Sequence, residues 1–302
     1  MRKLITICVV VVLFSMSYAR AGSWTTLDYP GAWSTRVSGI SGSTVIGSSW
    51  QPNTLYGFIY DGTTWSAPYR MYGYYDTSMN GISGNNIVGN YSFGGPSHGF
   101  LYNGTTWTTL DAPGAEHTSA TGIDGGKIVG TYDISSIVHG FLYDGTSWTT
   151  LDAPGAGDTY SGAGTYITGI DGSNLVGNYW NDYGGHGFLY DGTTWTTIAK
   201  PGEGATYVNG IDGSNLVGVY WNAYSGSHGF LYDMTTQNWT TLIMPDGTDV
   251  VPTGIDGNKV FGYYYYGSGN EHGFIYTIPE PATLSLLALG GLALIHRRRG
   301  RK

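Results

Sequence analysis

The sequence predicts an all-β fold made of six copies of one four-stranded unit. Three observations predict it. A Gly-Ile pair recurs with its glycine at 39, 81, 122, 169, 210 and 254, and a Gly-Phe pair with its phenylalanine at 58, 100, 141, 188, 230 and 274. Tryptophans at 24, 65, 107, 148, 195 and 239 mark the same unit of about 42 residues, the period of a four-stranded propeller blade. The third observation is phase. Trp24 is a fourth-strand residue that precedes any first strand, while the last unit has a third strand, His272 to Tyr276, and no fourth. "SWTTLDYPG" near the N-terminus supplies the missing piece, so the reading is a six-bladed β-propeller closed by its N-terminal strand. An open β-solenoid would need no such split unit.

Within a unit, four strands follow in order. In the unit holding Gly122 they are "ATGI", "KIVGTY", "HGFLY" and "TSWTTL". Asp124-Gly125 joins the first to the second and Asp144-Gly145 the third to the fourth, and Asp-Gly is a favoured pair for two-residue type I′ hairpin turns. The third strand alternates His, Phe and Tyr on one side with Gly and Leu on the other. Both sides are fairly apolar, as a sheet packed between neighbouring sheets requires. Composition agrees: 50 Gly and 26 Tyr with 11% charged residues fit neither disorder, which combines low hydrophobicity with high net charge, nor collagen.

The two ends read differently. Residues 1–21 carry Arg2 and Lys3, the apolar run ITICVVVVLF and Ala19-Arg20-Ala21, the three parts of a secretory signal cleaved before Gly22. The single cysteine, Cys8, lies inside that segment, so the mature chain has no disulfide. At the other end Pro279-Glu280-Pro281 precedes ATLSLLALGGLALI (282–295) and then Arg297, Arg298 and Arg299. Fourteen residues at 1.5 Å each reach about 21 Å, short of a bilayer core of about 30 Å. Residues 279–302 resemble the PEP-CTERM protein-sorting signal of Gram-negative bacteria, with all three parts in order. That resemblance implies recognition by a membrane exosortase, cleavage near the Pro-Glu-Pro motif and a setting of exopolysaccharide production. The tail itself is expected to associate transiently or permanently with a membrane, so the chain is expected at the inner membrane before processing and then at the cell surface or in the extracellular matrix.

Between the ends, residues 22–278 form the repeat domain. It holds five basic and twenty acidic residues, a net of −15, which excludes the electrostatic footprint of a nucleic-acid binder. "GIDGSNLVG" (210–218) followed by "HGFLYD" (228–233) resembles the HAF family of extracellular repeats, with Gly in place of the middle Ala and Asp in place of the Asn after Gly-Ile. That family implies an exported repeat protein with no assigned reaction.

No catalytic constellation emerges. His98, His139, His186, His228 and His272 occupy equivalent third-strand positions. Sixfold spacing puts them far beyond the roughly 2 Å reach of a shared zinc ion, so neither metal nor cofactor is expected. "DGTTW" resembles the Asp-box of sialidase-type propellers but lacks one residue between Asp and Gly, and the core has only Arg36 and Arg70 where sialidases hold a carboxylate with three arginines. Asp124, Asp171, Asp212 and Asp256 sit in turns of successive units, too spread to act as a hydrolytic pair. The repeats differ in the loops after the second and fourth strands: "YWNDYGG" (179–185), "YWNAYSG" (220–226), "YYYYGSG" (263–269) and the insertion at 157–166. Aromatic rings beside Asn and Asp suit sugars, and loops on rigid scaffolds commonly carry binding. The expected ligand-contact residues are Trp180, Tyr183, Trp221, Tyr224 and Tyr264. The reading is a non-enzymatic surface or matrix protein whose partner is extracellular polysaccharide. A structural or adhesive scaffold for another surface protein is the alternative, and a cryptic glycan hydrolase or lyase the third reading.

Overall fold

In the computed structural model, residues 22–279 are described, apart from 53, 72–75, 93 and 268. The strands follow the repeat. After β1 (Ser23–Leu27) come β2 (Ser34–Ser41), β3 (Thr44–Gln51) and β4 (Thr54–Tyr60). The second unit is β5 (Asp76–Ser83), β6 (Asn86–Ser92), β7 (His98–Tyr102) and β8 (Trp107–Leu110). The third is β9 (His117–Asp124), β10 (Lys127–Ile134), β11 (Ile137–Tyr143) and β12 (Trp148–Leu151). The fourth is β13 (Gly164–Asp171), β14 (Asn174–Asn181), β15 (Gly184–Tyr190) and β16 (Trp195–Ile198). The fifth is β17 (Thr206–Asp212), β18 (Asn215–Asn222), β19 (Gly226–Asp233) and β20 (Asn238–Leu242). Last come β21 (Val250–Asp256), β22 (Lys259–Tyr266) and β23 (Asn270–Thr277). No α-helix occurs among the described residues, and Trp24–Thr277 form one compact unit.

Each unit is an antiparallel meander, and β1 lies beside β23, giving the order β1-β23-β22-β21. In the first unit, where "SAPYR" replaces "TTLDA", the fourth strand shrinks to the isolated bridges Tyr60↔Trp65 and Gly57↔Tyr69. One phenylalanine per unit is fully buried (Phe58, Phe100, Phe141, Phe188, Phe230 and Phe274). The unit's tryptophan packs onto that ring and onto the third-strand tyrosine opposite, as Trp107 does on Phe100 at 4.7 Å and Tyr102 at 4.5 Å. Trp24 does the same from β1, on Phe274 and Tyr276.

The first strands carry a device that strand periodicity does not announce. The residue before each Gly-Ile is bulged out of the ladder, and a bulge re-aims its side chain. Ser38 donates to the carbonyl of Met79, Asn80 to Ala120 at 2.9 Å, and Thr121 to Ile167 at 2.7 Å. Thr168 donates to Val208 at 2.9 Å, Asn209 to Pro252 at 2.8 Å, and Thr253 to Val37 at 2.6 Å. Each bond links one unit to the next, and the last returns to the first unit. The glycine that follows lets neighbouring strands approach: a Cβ on Gly210 would lie 2.7 Å from the Cα of Gly254.

The turns differ from the sequence expectation by one register. Asp171 pairs with Asn174, so Gly172 and Ser173 form the loop and the aspartate closes the strand. Only the first loop residue has positive φ there, the pattern of type II′. Gly125-Gly126, positive at both, follows type I′. The freed carboxylate reaches forward: Asp124, Asp171 and Asp212 accept the N–H of Gly172, Gly213 and Gly257 at 2.8, 2.7 and 2.6 Å.

The third-to-fourth connection is a four-residue loop rather than a two-residue hairpin. Asp144 accepts the N–H groups of Thr146 and Ser147 and the Thr146 hydroxyl, an Asx-type turn. Asp61 and Asp191 do likewise, and Asn103 substitutes for the carboxylate in the second unit. These bonds, led by the Ser147 N–H at Asp144 and the Thr193 hydroxyl at Asp191, hold the carboxyls below their usual range. A depressed folded-state pKa gives stability that is present above the unfolded value and lost as pH falls through the folded one. Asp144→Asn with Asp191→Asn therefore leaves neutral-pH stability little changed, as Asn103 already fills this role, and flattens the acid limb below about pH 4. Thermal melts across that range check it. An unchanged acid limb would remove these loops from the titration.

Candidate functional site

The histidine ladder explains why one place in the repeat stands out. Each triplet histidine faces a tyrosine of the second strand, as in Tyr91–His98, Tyr132–His139, Tyr179–His186, Tyr220–His228 and Tyr264–His272, at 5.0 to 5.5 Å. Four of the five also contact a carboxylate through Nδ1: His98 with Asp111, His139 with Asp152, His228 with Asp249 and His272 with Asp28. His186 does not. Where the third unit reads "TTLDAPG", the fourth reads "TTIAKPG", and Ala199 stands in the aspartate's place.

Beside Ala199 lies a cavity of about 270 Å³ between β15 and β17. Trp180, Tyr183, His186, Thr197, Ala199 and Tyr207 line it. Trp180 stacks on Tyr207 at 5.4 Å with 25° between the planes. Gly185 permits this, since a Cβ there would stand 2.4 Å from the Tyr207 ring. Burial pushes the Tyr207 hydroxyl above its ordinary range, so it stays a neutral donor and acceptor. Tyr183 caps the cavity from the loop tip, where Asn181 fixes the backbone by accepting the Tyr183 N–H at 2.9 Å and donating to the Gly155 carbonyl at 2.9 Å. Its ring is 92% exposed.

The fifth unit repeats the arrangement beside it. Asn222 accepts the N–H of Tyr224 at 2.9 Å and of Ser225 at 3.1 Å, and donates to Glu203 at 2.7 Å. Tyr224 is 99% exposed on this braced tip, and Trp221 is half exposed. The 199–205 loop joins the two places. Gly204 donates to the Trp221 carbonyl at 2.7 Å, and Lys200 lies 3.7 Å from the Tyr220 ring centre. Trp180 and Tyr183 on one side, and Trp221 and Tyr224 on the other, thus flank the 199–205 loop.

Tyr264 does not join them. It is buried, its hydroxyl lies 3.2 Å from that of Thr26, and its ring packs on His272. In repeat register it is the equivalent of Tyr179 and Tyr220, the tyrosines that pack on histidine. The residue matching Trp180 and Trp221 is Tyr265, which is half exposed. Tyr207, His186 and Tyr265 were missed from sequence, and the Ala199 break was the available signal for the first two.

Asp124, Asp171, Asp212 and Asp256 do come to one place, around the Asp-Gly end of the central cavity. Three of them are engaged by turn N–H groups, and burial with the nearby Asp212 charge raises the Asp256 carboxyl. Among the described residues no group of three or more His, Cys, Asp or Glu is placed to hold a metal ion. No helix among them is long and apolar enough to cross a membrane. Pro279 is the last described residue. The cleavage residues Ala19 and Ala21, and Glu280, Pro281, Arg297, Arg298 and Arg299 of the sorting segment, lie outside the described residues.

Comparison with known proteins assigns the C-terminus. Residues 277–302 match the PEP-CTERM protein-sorting motif. The chain therefore carries the signal recognised by exosortase and is an exported surface protein. No curated protein sequence matches. Among solved structures it resembles AofleA from Arthrobotrys oligospora (12% identity, 86% of this chain and 88% of that one, TM-score 0.53). It also resembles TolB from Acinetobacter baumannii (14% identity, 83% and 65%, TM-score 0.50). A third is Trypanosoma rangeli sialidase in complex with sialic acid (12% identity, 88% and 58%, TM-score 0.51). The chain spans less than two thirds of the TolB and sialidase chains. At these identities the likeness is one of fold, all-β and propeller-like.

Proposed function

We propose that this is a non-enzymatic six-bladed propeller that binds extracellular polysaccharide through its second-to-third-strand loop face. In this reading residues 1–21 are removed as a signal peptide and residues 279–302 form the exosortase-processed tail. The place of β1 beside β23, and the bond from Thr253 to Val37, support closure of the ring by the N-terminal strand.

The observation that carries the binding reading is the groove at Ala199. Trp180, Tyr183 and Tyr207 offer aromatic faces, and the unpaired His186 imidazole, Thr197 and Tyr207 offer hydrogen-bond groups. Trp221 and Tyr224 continue the surface across the 199–205 loop. Sugars present apolar faces for the rings and hydroxyls for the polar groups.

The test is a pull-down of the full chain, in mild detergent, with purified exopolysaccharide of the producing bacterium. Retention should be competed by free polysaccharide and fall about tenfold or more in Trp180→Ala/Trp221→Ala, matching the loss of hot-spot aromatics. The length of the recovered polysaccharide should be unchanged; shortening would favour a hydrolase or lyase. No retention of a folded protein would overturn the glycan reading in favour of a protein-binding scaffold.

A further inference from the structure

A second site lies on the axis of the same loop face. Next to the ring of bulged side chains lies a pocket, the funnel, of about 440 Å³, within the range of small-ligand pockets. Its walls are Arg36, Trp50, Leu55, Val251 and Tyr263, and its neck is the polar ring that runs from Ser38 to Thr253. The same ring bounds the smaller cavity at the Asp-Gly end, so the two lie on either side of this neck.

The polar atoms have a fixed polarity. Ser38, Thr121, Thr168 and Thr253 commit their hydroxyl protons to carbonyls of the next unit, so each has acceptor lone pairs left and no proton to give. At the wall the order is reversed. Arg36 gives Nε and one Nη to Glu271, lies over the Tyr263 ring at 4.5 Å, and retains the N–H groups of its other Nη. Burial pushes the Tyr263 hydroxyl up to about 12, so it stays neutral beneath the guanidinium. Trp50 stands partly exposed at the wall.

We infer that this funnel seats one uncharged sugar unit, entering end-on, with its hydroxyls donating to the neck and accepting from Arg36 while a ring face rests on Trp50. A carboxylate or phosphate would face mainly hydroxyl oxygens whose protons are already committed, with the second amide N–H of Asn209 the one side-chain proton the ring keeps for it. An ammonium or metal cation would meet the Arg36 guanidinium. A neutral polyol satisfies both ends. The inference deepens the proposed function and rests on it for the ligand class, but uses none of the groove residues.

The experiment uses the full chain with glucose, galactose, mannose and N-acetylglucosamine as probes, followed by ligand-observed NMR and titration calorimetry. Glucuronate and glucosamine serve as charged counterparts. At least one neutral sugar should bind, more tightly than its charged counterpart where one exists. Trp50→Ala, which removes the stacking face, and Val251→Trp, which fills the funnel, should each weaken it by about tenfold or more. Trp180→Ala/Trp221→Ala should bind it as the parent does. Absence of neutral-sugar binding, preference for a charged sugar, or binding unmoved by both funnel variants would overturn the seat. Loss only in the groove variant would also overturn it while supporting the groove. Sugar binding without polysaccharide retention would leave the seat standing and sink the groove.

Discussion

A chain that begins at Tyr29, lacking β1, is expected to lose cooperative folding, and a peptide of residues 22–30 added in trans to restore it. The reason is local and additive. β1 covers the open edge of β23, and its removal leaves that strand's backbone groups unpaired. Leu27 is buried in the cluster with Val37, Phe58 and Phe261, and Trp24 covers Phe274 and Tyr276. Asp28 leaves His272 and the Gly273 N–H, and Thr26 leaves the Tyr264 hydroxyl. Two large apolar side chains at about 2–3 kcal/mol each, with several hydrogen bonds at about 1 kcal/mol, match the lower part of the 5–15 kcal/mol that holds a typical domain together. The peptide acts by strand addition, the same pairing supplied from outside the chain. Circular dichroism melts and urea titrations, with and without the peptide, decide it. A truncated chain as stable as the parent would show that β1 is dispensable, and the closed-ring reading would fall with it.

Much of this was legible in the sequence because the repeat is a translation of packing into spacing. Gly-Ile, Gly-Phe and Trp mark the first, third and fourth strands of each unit, and the Gly-Phe mark is tied to a steric fact, the fully buried phenylalanine. The split unit was legible for the same reason, since "SWTTLDYPG" repeats the fourth-strand wording. The turns were less so. Asp-Gly is compatible with more than one register, and the choice depends on the aspartate reaching the next unit's glycine N–H, a contact about 42 residues away. The bulged Ser, Asn or Thr before each Gly-Ile looked like an ordinary half-buried strand residue, because period two assigns it a face and cannot foresee the extra residue. Tyr264 is a different case, buried against His272. "YYYYG" gives four candidates, and only alignment of Tyr264 with the histidine-packing Tyr220 separates it from Tyr265. The groove was hidden by the fold's regularity. The Ala199 groove is visible only against the four units that keep a histidine–carboxylate contact.

The phrase shared by the second and third strands makes the last prediction. Gly130 lies opposite Phe141, and a Cβ on Gly130 would stand 2.9 Å from the phenyl ring and 2.0 Å from the carbonyl oxygen of Ser119. Equivalent glycines at 47, 89, 177, 218 and 262 are crowded by a first-strand carbonyl at 1.9 to 2.1 Å. Phe141→Ala is expected to cost about 3–5 kcal/mol as a cavity, lowering the melting temperature by roughly 10 °C in a domain of this size. Gly130→Ala should cost about 1–3 kcal/mol by overpacking. The double variant separates the two obstacles. If the ring were the barrier, deleting it would make room and the alanine would cost little in the Phe141→Ala background. The carbonyl is nearer and belongs to the strand pair itself, so most of the Gly130→Ala cost should persist there, with the coupling confined to the methyl's contact with the ring. A double-mutant cycle by urea unfolding measures this. Full relief by Phe141→Ala would shift the cause from the bulged first strand to the aromatic core.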